Sequence, residues 1–140
     1  MITEKDYHGW KALALTSGNA EIILPEEIGP RVLSCTLNGG KNLFYNVGEE
    51  LGGKNEPEFK LRGGHRLWHA PEDQIRTEAP DNTPPIITRL AGDTGLHFKA
   101  PGPDHCGILK EMTLEALGNG SFKVTHKLTN QNMWPVKCAP

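Results

Sequence analysis

Residues 108–129 read ILKEMTLEALGNGSFKVTHKLT, and this stretch decides the fold class. In its second half, Lys or Thr at every other position alternates with Phe122, Val124, His126 and Leu128. A period of two places these four side chains on one face of a β-strand. The turn Gly118-Asn119-Gly120, which tolerates positive φ, joins this strand to a preceding one over 108–117. The stretch therefore predicts an antiparallel β-hairpin.

The rest of the chain is also rich in turn-forming residues. Its 16 glycines and 11 prolines in 140 residues suit short strands joined by turns and disfavour long helices. Along 31–37 the alternation predicts that Leu33, Cys35 and Leu37 face the core. We therefore predict an all-β fold, an antiparallel β-sandwich forming a single domain over 1–140. Besides the hairpin, strands are predicted at 10–16, 20–24, 31–37, 42–45, 86–90 and 95–99.

Charge and hydropathy exclude several classes of function. With 15 basic and 17 acidic residues, the net charge is −2 and no basic stripe stands out, so we predict no nucleic-acid partner. No segment is apolar and long enough to cross a bilayer, and residues 1–6 lack the apolar core of a secretory signal. The three cysteines form an odd set without metal-type spacing. We interpret them as reduced thiols of a cytoplasmic protein.

The densest group of reactive side chains lies in GGHRLWHAPE, residues 63–72, directly after a long predicted loop at 48–62. Arg66 offers a planar fork of donors for hydroxyls or carboxylates, and Trp68 offers a flat apolar face that suits the C–H face of a sugar ring. His65 and His69 exchange protons near neutral pH, and Glu72 supplies an acceptor. This combination is typical of a site that binds a polar ligand.

A strand followed by a loop is the geometry we expect here, because the two glycines and Pro71 leave too little room for a helix. Arg66 and Trp68 then share one face, while His65 and His69 share the other. Each residue also has an ordinary alternative, such as core packing for Trp68 or a structural ion pair for Arg66. His65, His69 and Glu72 lack the spacing of a zinc motif, so we predict no metal and no cofactor.

Several motifs together resemble one known superfamily. They are Gly29-Pro30-Arg31-Val32, Gly39-Gly40-Lys41-Asn42-Leu43-Phe44, Gly63-Gly64-His65-Arg66-Leu67-Trp68, Ala70-Pro71-Glu72 and Leu128-Thr129-Asn130. Their order is similar to that of the aldose-epimerase, or galactose mutarotase-like, superfamily, in particular a branch with a Gly-Gly-His-Arg-x-Trp signature. The resemblance runs over nearly all of this chain but only about the first half of a family member. Because 133–140 also begins like a strand and then stops, we predict an incomplete N-terminal portion with open, association-prone edges.

The resemblance implies a large antiparallel supersandwich with a sugar cleft, and a carbohydrate ligand as the partner. It implies an isomerase with a histidine acid, for which His65 is the candidate although the His65-Arg66 context departs from the family's pattern, and with a glutamate base that comes late, beyond residue 140. Sugar binding is therefore expected to transfer better than catalysis. A non-catalytic carbohydrate-binding module and a structural β-domain remain as alternatives. The sugar contacts expected are Arg31, Arg66, Trp68, His69 and Glu72.

Overall fold

The structure is a computed structural model that describes residues 1–139, and it is all-β as predicted. Short 3₁₀ helices lie at Gly48–Glu50 and Ala91–Asp93. Within the described range, no helix is long and apolar enough to cross a membrane. The strands are β1 (Ile2–Tyr7), β2 (Trp10–Ser17), β3 (Ala20–Pro25), β4 (Arg31–Val32), β5 (Ser34–Leu37), β6 (His65–Arg66), β7 (Ile86–Arg89), β8 (Gly95–Lys99), β9 (Ile108–Ala116) and β10 (Phe122–Asn130).

The strands form two four-stranded antiparallel sheets and one short ladder. The first sheet has the order β1-β2-β3-β5, the second has the order β10-β9-β8-β7, and β4 pairs with β6. Apolar side chains from the two large sheets share one core, which is the packing of a β-sandwich. From the first sheet this core takes Ile2, Leu13, Leu15, Ile22 and Leu24, and from the second Leu96, Phe98, Met112 and Leu114.

The hairpin of β9 and β10 has the predicted form. Phe122 pairs with Ala116 at the turn and Asn130 with Ile108 at the far end. Two glycines of the turn, Gly118 and Gly120, have positive φ. The Gly118 N–H donates to Ser17 Oγ at 2.9 Å, so the tip of this hairpin is tied to the β2–β3 turn of the other sheet.

The single strand predicted over 31–37 is divided between two ladders. β4 pairs with β6, whereas β5 pairs with β3, and the Leu33 N–H between them donates to the Ile23 carbonyl at 2.9 Å. Leu33 is buried in a second, smaller cluster with Trp10 and Ile28. Leu37 was wrongly predicted to face the core. It ends a strand at the sheet edge and is 49% exposed.

The prediction of a strand at 42–45 was wrong, because the side chain of Asn42 makes hydrogen bonds that a neighbouring strand would otherwise make. Asn42 Oδ1 accepts the N–H groups of Cys35 and Phe44 at 2.9 and 3.0 Å, and its Nδ2 donates to the Leu33 carbonyl at 3.0 Å. An asparagine that bonds nearby backbone in this manner offers the chain an alternative to a strand. The segment runs beside β5 as a loop instead.

The two ends of the chain also differ from the prediction. β1 was not predicted, because its only buried side chain is Ile2 and it lacks an apolar alternation. No strand follows β10 in the described part of 133–140, where Ala139 forms a single bridge with Ala70. Asn130 Nδ2 donates to the Trp134 carbonyl at 2.8 Å and turns the chain after β10, while Pro140 lies outside the described residues.

Candidate functional site

The two glycines of the 63–72 segment let three pieces of backbone come together. Gly63 and Gly64 both have positive φ, and a Cβ on either would overlap a carbonyl oxygen, that of Tyr45 or that of Val32. The close approach brings β6 onto β4, where Arg31 lies opposite Arg66. The glycines therefore serve backbone packing here and bring two guanidinium groups to the same ladder.

Arg66 lies over two aromatic rings that also contact each other, an arrangement that we call the arginine stack. Its guanidinium carbon lies 4.2 Å from the centre of the Trp68 ring and 4.7 Å from that of Phe59. Cation–π attraction of this kind stabilises a partly desolvated cation. Burial lowers the pKa of Arg66 to about 10, so it remains charged at neutral pH. Arg66 Nη1 and Trp68 Nε1 are buried and have no hydrogen-bond partner among residues 1–139.

Arg31 lies behind the stack and is fully buried. Its Nη1 donates to the Leu61 carbonyl at 3.2 Å and to the Gly63 carbonyl at 3.5 Å. Burial, and next the neighbouring charge of Arg66, lower the pKa of Arg31 to about 9. The side chain thus organises the loop before β6, and its buried position favours a positioning role over the direct sugar contact that the resemblance implies.

His65 contacts a second histidine across the sandwich. Its Nε2 lies 2.9 Å from Nε2 of His126 on β10, so one ring donates and the other accepts. Burial, followed by the proximity of His126, lowers the pKa of His65. The contact requires that at least one of the two imidazoles, the accepting one, is neutral. His65 is therefore engaged by a structural partner, and its predicted catalytic role stays a prediction.

His69 points to a different place from His65. It is buried, and neither ring nitrogen has a hydrogen-bond partner within the described chain. Its nearest opposite charge is Asp104, whose Oδ2 lies 3.9 Å from Nδ1. Burial lowers the pKa of His69, and the Asp104 carboxylate opposes that shift. Glu72, three residues further on, is exposed and belongs to no strand, so the segment does not bring its five candidate side chains to one spot.

Asp104 connects His69 to a buried lysine. Its Oδ1 accepts the N–H groups of Cys106 and Ile108 at 2.9 and 3.0 Å, which fixes the loop before β9. Its Oδ2 lies 3.8 Å from Lys110 Nζ, and Lys110 also bonds Asp81 Oδ2 at 3.1 Å. Two carboxylates therefore flank one ammonium that is almost completely buried. Such a group is stable only because it is paired.

A cleft of about 440 Å³ opens in front of this charge cluster, between the loops around residues 55–57, 79–83 and 100–105. We call it the loop cleft. Its polar lining includes Glu56, Asp81, Asp104 and Lys110, and prolines from the three loops supply apolar surface. Its volume lies within the range of small-molecule sites. None of the six residues predicted as site residues lines it within the described chain.

One wall of the loop cleft is held by a buried arginine that sequence reasoning missed. Arg62 pairs with Glu56 and bonds the Glu50 carbonyl, and its Nη2 donates to Asn82 Oδ1 at 3.2 Å. Asn82 Nδ2 in turn donates to the carbonyls of Glu56 and Glu58 at 2.9 and 2.7 Å. This network ties the loop at 56–62 to the loop at 79–83.

A signal for the cluster was present in the sequence. Lys110 stands between Ile108 and Met112 in the alternation of β9, at a position where an apolar side chain is expected. A lysine on the inward face indicates a buried counter-charge. Its partners, Asp81 and Asp104, lie on loops without periodicity, so their identity required the fold.

The comparisons with protein-family models, with curated proteins and with solved structures found no match. The galactose mutarotase-like resemblance therefore stays a prediction. Among residues 1–139 there is also no group of three or more His, Cys, Asp or Glu side chains placed to hold a metal ion.

Proposed function

We propose that this chain binds a carbohydrate in the loop cleft. The observation that carries the proposal is a monosaccharide-sized cleft in which charged hydrogen-bonding groups stand beside apolar proline surface. A sugar presents hydroxyl groups that both donate and accept, together with C–H faces that need apolar contact. Glu56 and Asp81, whose side chains are 30% and 12% exposed, accept hydrogen bonds, while Lys110 and Asp104 pair behind Asp81.

The chemistry of the lining disfavours the other classes of ligand. A purely apolar ligand would remove water from Glu56 and Asp81 without offering them a donor, which is costly. A nucleic acid would meet more carboxylates than cations at this surface. Hydroxyl groups have the right polarity, because each can bond a carboxylate oxygen without adding charge.

The residues of the 63–72 segment act from behind the loop cleft in this proposal. His69 stands beside Asp104, and Asp81 is close enough to raise the pKa of both Arg31 and Arg66 against the effect of burial. These three side chains position the carboxylates. The arginine stack is a second candidate location for the sugar, because Arg66 Nη1 and Trp68 Nε1 have no hydrogen-bond partner within residues 1–139.

Isomerisation, which the resemblance implies, is the second candidate function. It needs an acid and a base on opposite sides of the anomeric carbon. Asp104 lines the loop cleft and His69 lies 3.9 Å behind it, so the two stand on the same side of a bound sugar and supply one of the two groups. The three cysteines are free thiols, which supports a reducing compartment, and we propose the cytoplasm.

Saturation-transfer NMR with a panel of neutral aldoses tests the proposal. We expect transfer to at least one sugar, a large loss in Asp81→Asn and no change in Asp93→Asn, an exposed control of the same chemistry. Trp68→Phe distinguishes the two locations, because it removes the unpartnered Nε1 of the arginine stack and keeps the charge of Arg66. Accelerated anomer exchange in the same samples would establish isomerisation. Dispersed protein signals without transfer to any sugar would leave the structural β-domain as the function.

A further inference from the structure

The outer strands of the two large sheets differ in how well their free edges are protected. A free edge with unpaired backbone groups is able to pair with another chain, and proteins limit this with charges, prolines, short strands or covering loops. β1 carries three consecutive charged residues at 4–6, and β7 has only four residues and follows two prolines at 84–85. The free side of β5 is covered by a loop, because the Leu43 N–H donates to the Cys35 carbonyl at 2.8 Å.

The fourth outer strand, β10, has a long edge without this protection. It is nine residues long, contains no proline, and pairs only with β9. In an antiparallel ladder, alternate residues direct their N–H and C=O groups to opposite sides. The Gln131 N–H donates to the Gly107 carbonyl in line with β9, so odd-numbered residues face β9. The five even-numbered residues of Phe122–Asn130 therefore face away, and their backbone groups have no hydrogen-bond partner among residues 1–139.

The charged side chains of β10 do not block its free edge. Lys123 and Lys127 lie on the solvent face of the sheet, where each is paired with a glutamate of β9, at 2.9 and 2.8 Å. On the other face of the strand, Val124 is 40% exposed and Leu128 is half-buried. The strand thus offers apolar surface together with unpaired backbone groups.

A second copy of the chain is able to pair with this edge about a two-fold axis, and charge limits the register. Like charges directly opposite each other in a ladder are destabilising. An axis through Lys123, Thr125 or Lys127 would place a lysine of one copy opposite a lysine of the other. The axis is therefore expected at an even-numbered residue.

An axis through His126 overlaps all nine residues of β10 in both copies. It sets each lysine opposite a threonine of the other copy, and it sets Val124 opposite Leu128. The even-numbered residues then form hydrogen-bonded pairs, which satisfies their backbone groups. We infer that the chain forms a symmetric dimer in which β10 pairs antiparallel with β10 of a second copy about His126. Because the pairing occupies the edge in both copies, association stops at two.

The dimer does not depend on the proposed ligand, because no residue of β10 lines the loop cleft within the described chain. One ladder of nine residues makes a small interface, so we expect a dissociation constant of about 100 µM. The chain is then monomeric at the low micromolar concentrations of an unfolding experiment and dimeric at higher concentrations.

Sedimentation velocity over a concentration series tests the inference. Thr125 is exposed and, in this register, lies opposite Lys127 of the second copy. Thr125→Glu should lower the dissociation constant about tenfold, and Thr125→Lys should raise it by about as much. Thr88→Glu and Thr88→Lys are the matched controls and should not change it. Thr88 is an exposed threonine in the same cross-strand row, but it lies on β7 at the other edge of the sheet.

Amide hydrogen exchange of the unaltered chain reports the register. We expect protection of the even-numbered residues of Phe122–Asn130 to rise with protein concentration, whereas the odd-numbered residues, bonded to β9, should show no change. A chain that stays monomeric up to about 1 mM would overturn the inference. So would a dimer that responds to the Thr88 variants, one that does not respond to the Thr125 variants, or one whose added protection lies outside β10.

Discussion

The β9–β10 hairpin and the segment 42–72 satisfy the hydrogen bonds of their backbone by different means. The hairpin uses a ladder of nine residue pairs, from Phe122↔Ala116 to Asn130↔Ile108. The segment uses side chains, since Asn42 and Asn46 both donate to the Leu33 carbonyl and Arg62 bonds that of Glu50. A strand ladder leaves the side chains free to follow a period of two. A loop whose backbone bonds to side chains has no such period, so sequence periodicity does not predict its structure.

We expect the largest loss of stability when a buried side chain of the hairpin is truncated. Met112→Ala removes a fully buried side chain from the shared core and should lower the free energy of unfolding by about 2–5 kcal/mol. Val124→Ala, in the same hairpin but 40% exposed, is the control and should change it by less than about 0.5 kcal/mol. Urea unfolding measures both. Equal effects would mean that burial of the side chain does not set the size of the loss within this hairpin.

Much of the fold could be predicted from the sequence where strands alternate. The strands β2, β3, β7, β8, β9 and β10 all lie within a residue or two of the predicted ranges. The loop cleft could not be predicted, because the contacts of His69 with Asp104 and of Lys110 with Asp81 join residues about 30 positions apart on loops without a period. Only Lys110, a charged side chain in the apolar register of β9, indicated that a buried partner existed.

Gly64→Ala sharpens the comparison within the loop segment. The new Cβ would overlap the Val32 carbonyl at a residue with positive φ, so we expect a loss of about 1–3 kcal/mol in the free energy of unfolding. Gly39→Ala is the matched control, because Gly39 also has positive φ but a Cβ there meets nothing within 4 Å among the described residues. A similar loss in both variants would show that backbone conformation, rather than the approach of β6 to β4, sets the requirement for glycine.

The smallest effect concerns the histidine that links the two regions. The folded-state pKa of His65 lies below its ordinary value of 6.5, so the unfolded chain binds more protons and stability rises with pH. The stabilisation is complete above about pH 6.5 and is lost as pH falls through the folded-state pKa. His65→Gln should therefore flatten the decline of unfolding free energy between about pH 7 and 5. An unchanged decline would contradict the His65–His126 contact.

The carboxylates with lowered pKa values affect stability at more acidic pH than His65 does. Hydrogen bonds from Lys54 and Lys127 lower the pKa values of Glu27 and Glu111 from 4.5. Their contributions are present above that value and are lost only at more acidic pH. His69, whose pKa is also lowered by burial, contributes in the same range and direction as His65. Some decline therefore remains in His65→Gln.

Mapping of backbone and indole N–H signals by two-dimensional NMR tests the central claim, that the sugar binds in the loop cleft, most directly. During titration with a neutral aldose, we expect shifts to concentrate in residues 79–83 and 100–105, while the Trp68 indole signal stays in place. The Trp10 indole, bonded to the Gly53 carbonyl at 2.8 Å, serves as an internal reference. Shifts centred on Trp68 and Arg66 would move the sugar to the arginine stack and contradict the account, as would a spectrum that no sugar changes.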